Sequence, residues 1–324
     1  MPGPGLRYAG GITMQESGME DPTRDGGVIE YSKAADPVRS GQTPRMPVHE
    51  FPPGALVDAP TGIHPLDLSA ALRCEGPATS PGLLASFVIV RAGDTVSTHA
   101  LATSHLFFVR RGAGTITVDG TTLTYGPGDL ITLPSSGAAI HRAESDTEAY
   151  WVHDAPLLRY LGAVPSEAKF RPTLWKWETL RAAVHEALAD PLAGQRSRIS
   201  VLLTNTHFPQ TMTITHVLWA MIGILPAGAD QLPHRHQSVA LDYIIHCPPG
   251  CHTKVAEHVD AGGNLIDPVI VPWVSGGAFT TPPGWWHSHH NTSGEDAYLM
   301  PIQDAGLHTY LRTLDIRFHR DTSV

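Results

Sequence analysis

Three histidines in the last third of the chain have the types and spacing of a metal site. His234 and His236 stand two apart in Pro-His234-Arg-His236, and on a strand that spacing turns both imidazoles to one face. His287 follows the turn sequence Pro282-Pro-Gly284, so an antiparallel neighbour can deliver it to the same place. Three neutral nitrogen donors suit Fe(II) first, with Mn, Zn or Ni as alternatives, and leave positions open for a substrate and O2. A divalent ion held only by imidazoles keeps its whole positive charge. Such a site favours an anionic, bidentate substrate such as a 2-hydroxybenzoate, and with O2 it fits extradiol-type ring cleavage.

The trio sits inside a longer pattern. Gly228 precedes His234 by six positions, Gly276 precedes Pro282 by six, and Asn291 follows His287 by four. This resembles the two-part cupin signature, Gly-x5-His-x-His followed by Gly-x5-Pro-x-Gly-x2-His-x3-Asn. The glutamate that usually follows the histidine pair is missing; Ala240, Leu241 and Asp242 occupy its neighbourhood.

Positioning these residues requires strands. Short β-rich runs separated by Gly-rich turns fill 84–91, 106–111, 114–118, 121–125, 128–134 and 148–153, and Asp119-Gly120 marks a hairpin. Strand patterning resumes at 199–204, 211–215, 217–225, 241–246, 253–257, 279–281 and 297–301. Many short strands at even spacing indicate a sandwich or barrel. Between the two sets, Trp177, Leu180, Val184 and Leu188 fall on one helical face. The expected fold class is therefore all-β dominated: two tandem cupin (double-stranded β-helix, jelly-roll) barrels with a helical linker. The expected divisions are a flexible arm over 1–45, an N-terminal cupin over 46–155, the linker over 156–198 and the metal-bearing cupin over 199–324. The arm is rich in Gly and Pro without periodicity, and Met14 or Met19 is an alternative start.

The N-terminal half keeps the frame but not the ligands. Gly93-x5-His99 and Gly128-x5-Pro134 match, whereas Leu101 replaces the second histidine and His105 stands at the glutamate position. His99, His105 and His141 form the candidate trio for a second metal, since 99 and 105 share strand parity. The alternative is a vestigial barrel with hydrogen-bonded core histidines.

Bulk properties exclude several classes. At 324 residues there is room for two ordinary cores. A net charge of −9 without a Lys/Arg cluster argues against nucleic acid. The longest apolar run, 217–225, is strand-sized, which argues against a membrane span, and no apolar signal region opens the chain. Cys74, Cys247 and Cys251 are an odd set without a CxxC pair, which fits a reducing cytoplasm.

From about residue 45 onward the chain resembles the gentisate 1,2-dioxygenase and salicylate dioxygenase family of bicupins. The resemblance is densest in His234-Arg-His-Gln-Ser-Val-Ala-Leu241 and Thr281-Pro-Pro-Gly-Trp-Trp-His287-x-His-His-Asn291. It implies Fe(II) bound by His234, His236 and His287, and an oxygenase acting on a hydroxylated aromatic acid. It also implies a homo-oligomer, a dimer or tetramer, with residues 1–60 as exchanged arms. One departure stands out. Family members often carry a basic residue where this chain has Asp242. On a regular strand Asp242 shares the face of His236, as a fourth ligand, a proton acceptor or a repulsion against a substrate carboxylate. This raises a second reading, a non-oxidative metallo-cupin (isomerase, lyase or hydrolase) with Asp242 as acid/base; a third is a non-catalytic binding bicupin. His289 is a further catalytic candidate. Trp286, Gln303, His308 and Arg312 are candidates for substrate binding.

Overall fold

The computed structural model describes residue 23 and residues 25–319. Most of the expected arm, Met14 and Met19 included, lies outside the described residues. Two units are distinguished, Met1–Thr43 and Pro44–Val324. The described part of the first carries a short helix, Tyr31–Ala34, whose start is capped by Glu30 accepting the Ser32 N–H at 3.1 Å.

The second unit contains both barrels. In the N-terminal one, a six-stranded sheet orders Thr173–Trp175, Leu130–Pro134, Ser104–Arg111, Thr147–His153, Leu84–Val90 and Gly62–Pro65. It faces a four-stranded sheet of Thr95–Thr98, Ala139–Ala143, Gly114–Val118 and Thr121–Tyr125. The C-terminal barrel repeats the plan. Its six-stranded sheet orders Glu50–Phe51, Ala278–Thr281, Ala240–His246, Ala297–Gln303, Trp219–Leu225 and Ile199–Leu202. The opposing five-stranded sheet orders Val269–Pro272, Cys251–Ala256, Trp286–Asn291, His234–Arg235 and Arg317–Phe318.

The halves trade edge strands. Glu50–Phe51, placed by sequence in the N-terminal cupin, pairs with the C-terminal Ala278–Thr281 strand. Thr173–Trp175, placed in the linker, pairs with the N-terminal Leu130–Pro134 strand. The expected strand at 211–215 does not form. Met212 has φ of +53°, and Thr215 Oγ accepts the Leu218 N–H at 2.8 Å, so local side-chain bonds displace the ladder.

Period-two alternation divides each large sheet between two cores. Phe87, Phe108, Tyr150 and Val152 face Ile222, Leu241, Tyr243 and Met300 across one shared inter-barrel core. Tyr150 stacks on Tyr243 at a centroid distance of 4.6 Å. The alternate residues line each barrel's own interior: Val88, Phe107, Ile131 and Trp151 in the first, Leu225, Ile244, Phe279 and Leu299 in the second. Two barrels back to back thus bury apolar faces against each other, which holds their orientation.

The helix Trp177–Ala189 buries Leu180 and Val184 against this shared core, with Trp177 and Leu188 packed beside them, on the face read from sequence. Its first turn is tied down by Asp129, which accepts the Trp177 N–H at 3.0 Å and pairs with Lys176. Gly276 shows why the motif glycine is needed: φ is +83°, and a Cβ there would lie 2.3 Å from the Arg110 Nε of the other barrel.

Candidate metal centre

His234 lies opposite His287 in strand register, and His236 follows on the same face. Their candidate ligand atoms all lie within 4.8 Å of one another, the only such trio of His, Cys, Asp or Glu among the described residues. The turn that aims His287 is held by Gly284, at φ of +77°, whose N–H donates to the His236 carbonyl at 2.7 Å. The Pro-Pro-Gly sequence therefore fixes both sides of the site at once.

The orientation of the rings fits a metal. His236 Nδ1 lies 2.9 Å from the Ser238 carbonyl and His287 Nδ1 lies 3.2 Å from the Trp285 carbonyl. A carbonyl only accepts, so both Nδ1 atoms carry the hydrogen and both Nε2 lone pairs remain available. His234 Nε2 is buried without a hydrogen-bond partner among the described residues. Burial pushes His236 down to about 4 and holds His234 and His287 well below the ordinary imidazole value. All three are therefore neutral at neutral pH, the state a metal requires. The Gln303 amide nitrogen sits 3.4 Å from His236 Nε2, and its oxygen accepts the Ser238 hydroxyl at 2.7 Å.

Around the trio the predicted residues divide. His289 is buried on the face of His287, with its Nδ1 2.8 Å from Thr253 Oγ1. Thr253 in turn accepts the Trp273 indole N–H at 2.8 Å. The arrangement that uses every proton has Thr253 donating to His289 Nδ1, leaving Nε2–H as a donor. Gln303 joins the site, as above. Asp242 is buried, and its neighbours Leu241 and Tyr243 belong to the inter-barrel core, so alternation turns Asp242 into the barrel interior beside Ile244. Thr281 donates to it at 2.6 Å, and burial pushes its carboxyl up to about 7.

Others are directed elsewhere. Trp286 alternates with His287 and lies under Arg235, whose guanidinium sits 5.5 Å from the ring centroid; both are outward residues of their strands. Arg312 ends the helix Ala305–Leu311 in the left-handed conformation and folds back on Tyr310, exposed. His308 lies on that helix, 2.9 Å from Thr313 Oγ1 and 3.9 Å from Asp304. The second trio is not assembled. His99 is exposed beyond the strand Thr95–Thr98, and the break before Ser104 cancels its parity with His105. His105 packs on Trp151 and His153, while His141 pairs with Thr98 at 3.0 Å.

Sequence reasoning missed Arg198, at the boundary of the linker. It enters the strand Ile199–Leu202 on the face of Ser200 and shares a narrow cleft with His289, Gln231 and Met221. Its Nε is buried without a partner among the described residues, and its Nη1 reaches only Met221 Sδ at 3.9 Å. Burial lowers it to about 10, so it stays charged at neutral pH, and its charge bears on His234 and His289. The available signal was alternation: Arg198 and Ser200 are polar between Ile199 and Val201, which pack on the shared core. Asn291, by contrast, is structural. Its amide donates to the carbonyls of Leu225, Pro226 and Glu295 at 2.8–3.1 Å.

Comparisons with known proteins agree with this architecture. Residues 86–153 match the cupin domain family. The chain is 32% identical over 92 residues to a 5-nitrosalicylic acid 1,2-dioxygenase from Bradyrhizobium sp, and 32% over 98 residues to a 5-aminosalicylate 1,2-dioxygenase from Comamonas sp. These segments span 44% and 26% of the two relatives, less than half of either. A gentisate complex of a variant salicylate 1,2-dioxygenase from Pseudoaminobacter salicylatoxidans superposes with a TM-score of 0.69 at 14% identity, over 95% of this chain and 98% of that one. The described helices include none long and apolar enough to cross a membrane. Two back-to-back cupin barrels and, among the described residues, one three-histidine centre give this chain the fold of that salicylate 1,2-dioxygenase structure.

Proposed function

We propose that this protein is an Fe(II)-dependent dioxygenase for a hydroxylated aromatic acid, working in the C-terminal barrel. The observation that carries the reading is the pairing of three neutral, converging imidazoles with one half-buried cation, Arg198, whose Nε–H is buried without a partner among the described residues and whose charge acts on His234, His289 and Asp242. His234, His236 and His287 would hold the iron, which when bound supplies Lewis acidity and one-electron chemistry toward O2. Arg198 meets the substrate carboxylate; its uncommitted Nε–H suits an anion in a cleft with little water. His289, oriented by Thr253 and Trp273, offers an N–H to a substrate oxygen. Gln303 holds His236 in place through Ser238. The relatives are named for nitro- and aminosalicylate, which is the same chemical class.

Asp242 gives the second reading its support. A carboxyl titrating near neutrality inside the barrel is poised for proton transfer, as a non-oxidative isomerase, lyase or hydrolase would require. O2 consumption by anaerobically Fe(II)-loaded protein against a panel of hydroxybenzoates separates the two. Substrate-dependent uptake that disappears in His234→Ala is expected. Turnover by Zn-loaded protein without O2 would replace the dioxygenase reading with the non-oxidative one.

A further inference from the structure

Among the described residues the N-terminal barrel gathers no metal trio, yet it contains a cavity of about 430 Å³. That lies within the range of small-molecule sites, roughly 300–1,000 Å³. Most of its wall is apolar, including Leu84, Leu101 and Leu158. Two polar residues stand out. Ser86 and Trp151 are direct partners on adjacent antiparallel strands, so their side chains lie side by side on the inner face. They are 1% and 3% exposed, and Ser86 Oγ and Trp151 Nε1 have no hydrogen-bond partner among the described residues.

An indole N–H can only donate, and leaving such a buried donor unmet is costly. His153, next on the same strand face, accepts the Ala155 N–H at Nδ1 over 3.3 Å, so its Nε2 carries the hydrogen. Burial lowers it to about 3, which keeps it neutral. The cavity therefore offers donors that lack acceptors. Arg159 stands at its rim, but its charge is shared with the Glu75 carboxylate at 3.6 Å and its Nη2 donates to the carbonyls of Glu75 and Pro77 at 3.1 and 2.8 Å.

We propose that this cavity is a second, metal-free ligand site for a small aromatic monocarboxylic acid. The ring would occupy the apolar walls, and the carboxyl oxygens would accept from the adjacent Trp151 indole and Ser86 hydroxyl. The site is independent of the chemistry assigned to the other barrel. It gives the protein a place to bind an aromatic acid without turning it over.

Isothermal titration of the full, Fe(II)-loaded chain with benzoate under nitrogen tests this. Benzoate lacks the ortho hydroxyl that bidentate metal binding needs. The expected result is a binding class that persists in Arg198→Met and weakens about three- to tenfold in Ser86→Ala or Trp151→Phe, the loss of one hydrogen bond. Leu101→Trp, at an exposed position on the cavity wall, guards against a core variant that fails to fold; it should abolish this class by filling the cavity. Absence of any benzoate binding that survives Arg198→Met would overturn the proposal. So would such a class left unchanged by Leu101→Trp and Ser86→Ala.

Discussion

The two barrels share one frame and divide the work. Both have a glycine with positive φ six residues before a proline, Gly128 before Pro134 and Gly276 before Pro282, and both have a large sheet whose outer face joins the shared core. Among the described residues, only the C-terminal barrel converges three imidazoles. The N-terminal barrel scatters its histidines among aromatic neighbours and leaves a cavity with unmet donors. The lesson is that the cupin frame is fixed by turns and alternation, whereas chemistry depends on a few residues at the rim, where substitution leaves the packing alone.

The sharpest way to break the contrast is at a ligand. Removing partners that merely orient a ligand typically costs roughly 10- to 100-fold in metal affinity, so His234→Ala should exceed about 100-fold, while His141→Ala in the other barrel leaves metal content unchanged. Equilibrium dialysis with metal analysis reads both. Next is the cation. Arg198→Met should weaken binding of a hydroxybenzoate by about 1.5–3 kcal/mol, the range for hydrogen bonds to charged groups, with metal content retained. Calorimetric titration distinguishes the two losses.

Asp242 sharpens the comparison through pH. Burial pushes its folded carboxyl up to about 7, from an ordinary value of 3.8. Between those values the unfolded chain has released the proton and the folded one holds it, so folding is increasingly penalised as pH rises, up to the folded pKa. Asp242→Asn keeps an acceptor for Thr281 and removes that penalty. Its stabilisation of the metal-free protein should grow by about 2–3 kcal/mol from pH 5 to pH 8, visible in denaturant melts. No growth with pH would mean the carboxyl is not desolvated.

Smaller effects follow. Asn291→Ala leaves three carbonyls short of a donor and should cost about 1–3 kcal/mol of stability, read from the urea midpoint, with the metal trio intact. Trp286→Leu, on the outward face, should change turnover by no more than about twofold, as surface substitutions do.

Much of this was legible in the sequence. The glycine–histidine–proline spacing marked the metal trio because a strand's period of two and a tight turn leave few other arrangements. The helix at Trp177 was readable because its apolar residues recur at helical spacing. For Asp242 the sequence leaves an inward place and an outward one at a strand bulge both open; the alternation of Leu241 and Tyr243 in the strand Ala240–His246 turns it inward. Parity misled for His99, because the loop between the strands Thr95–Thr98 and Ser104–Arg111 resets it. Nothing local marked Arg198 as part of the site: its significance comes from pairing Ile199–Leu202 with Trp219–Leu225, a contact distant in sequence. The exchange of edge strands was equally hidden, since two- or three-residue strands such as Glu50–Phe51 carry too little pattern to read.

On the proposed reading the C-terminal barrel holds metal and the N-terminal barrel does not. Iron measured per chain after anaerobic Fe(II) loading and desalting tests it most directly, in wild type, His234→Ala and a His105→Ala/His141→Ala double variant. The account predicts one iron per chain in wild type and in the double variant, and none in His234→Ala. Two irons per chain, or iron that survives His234→Ala and disappears with His105 and His141, would contradict it.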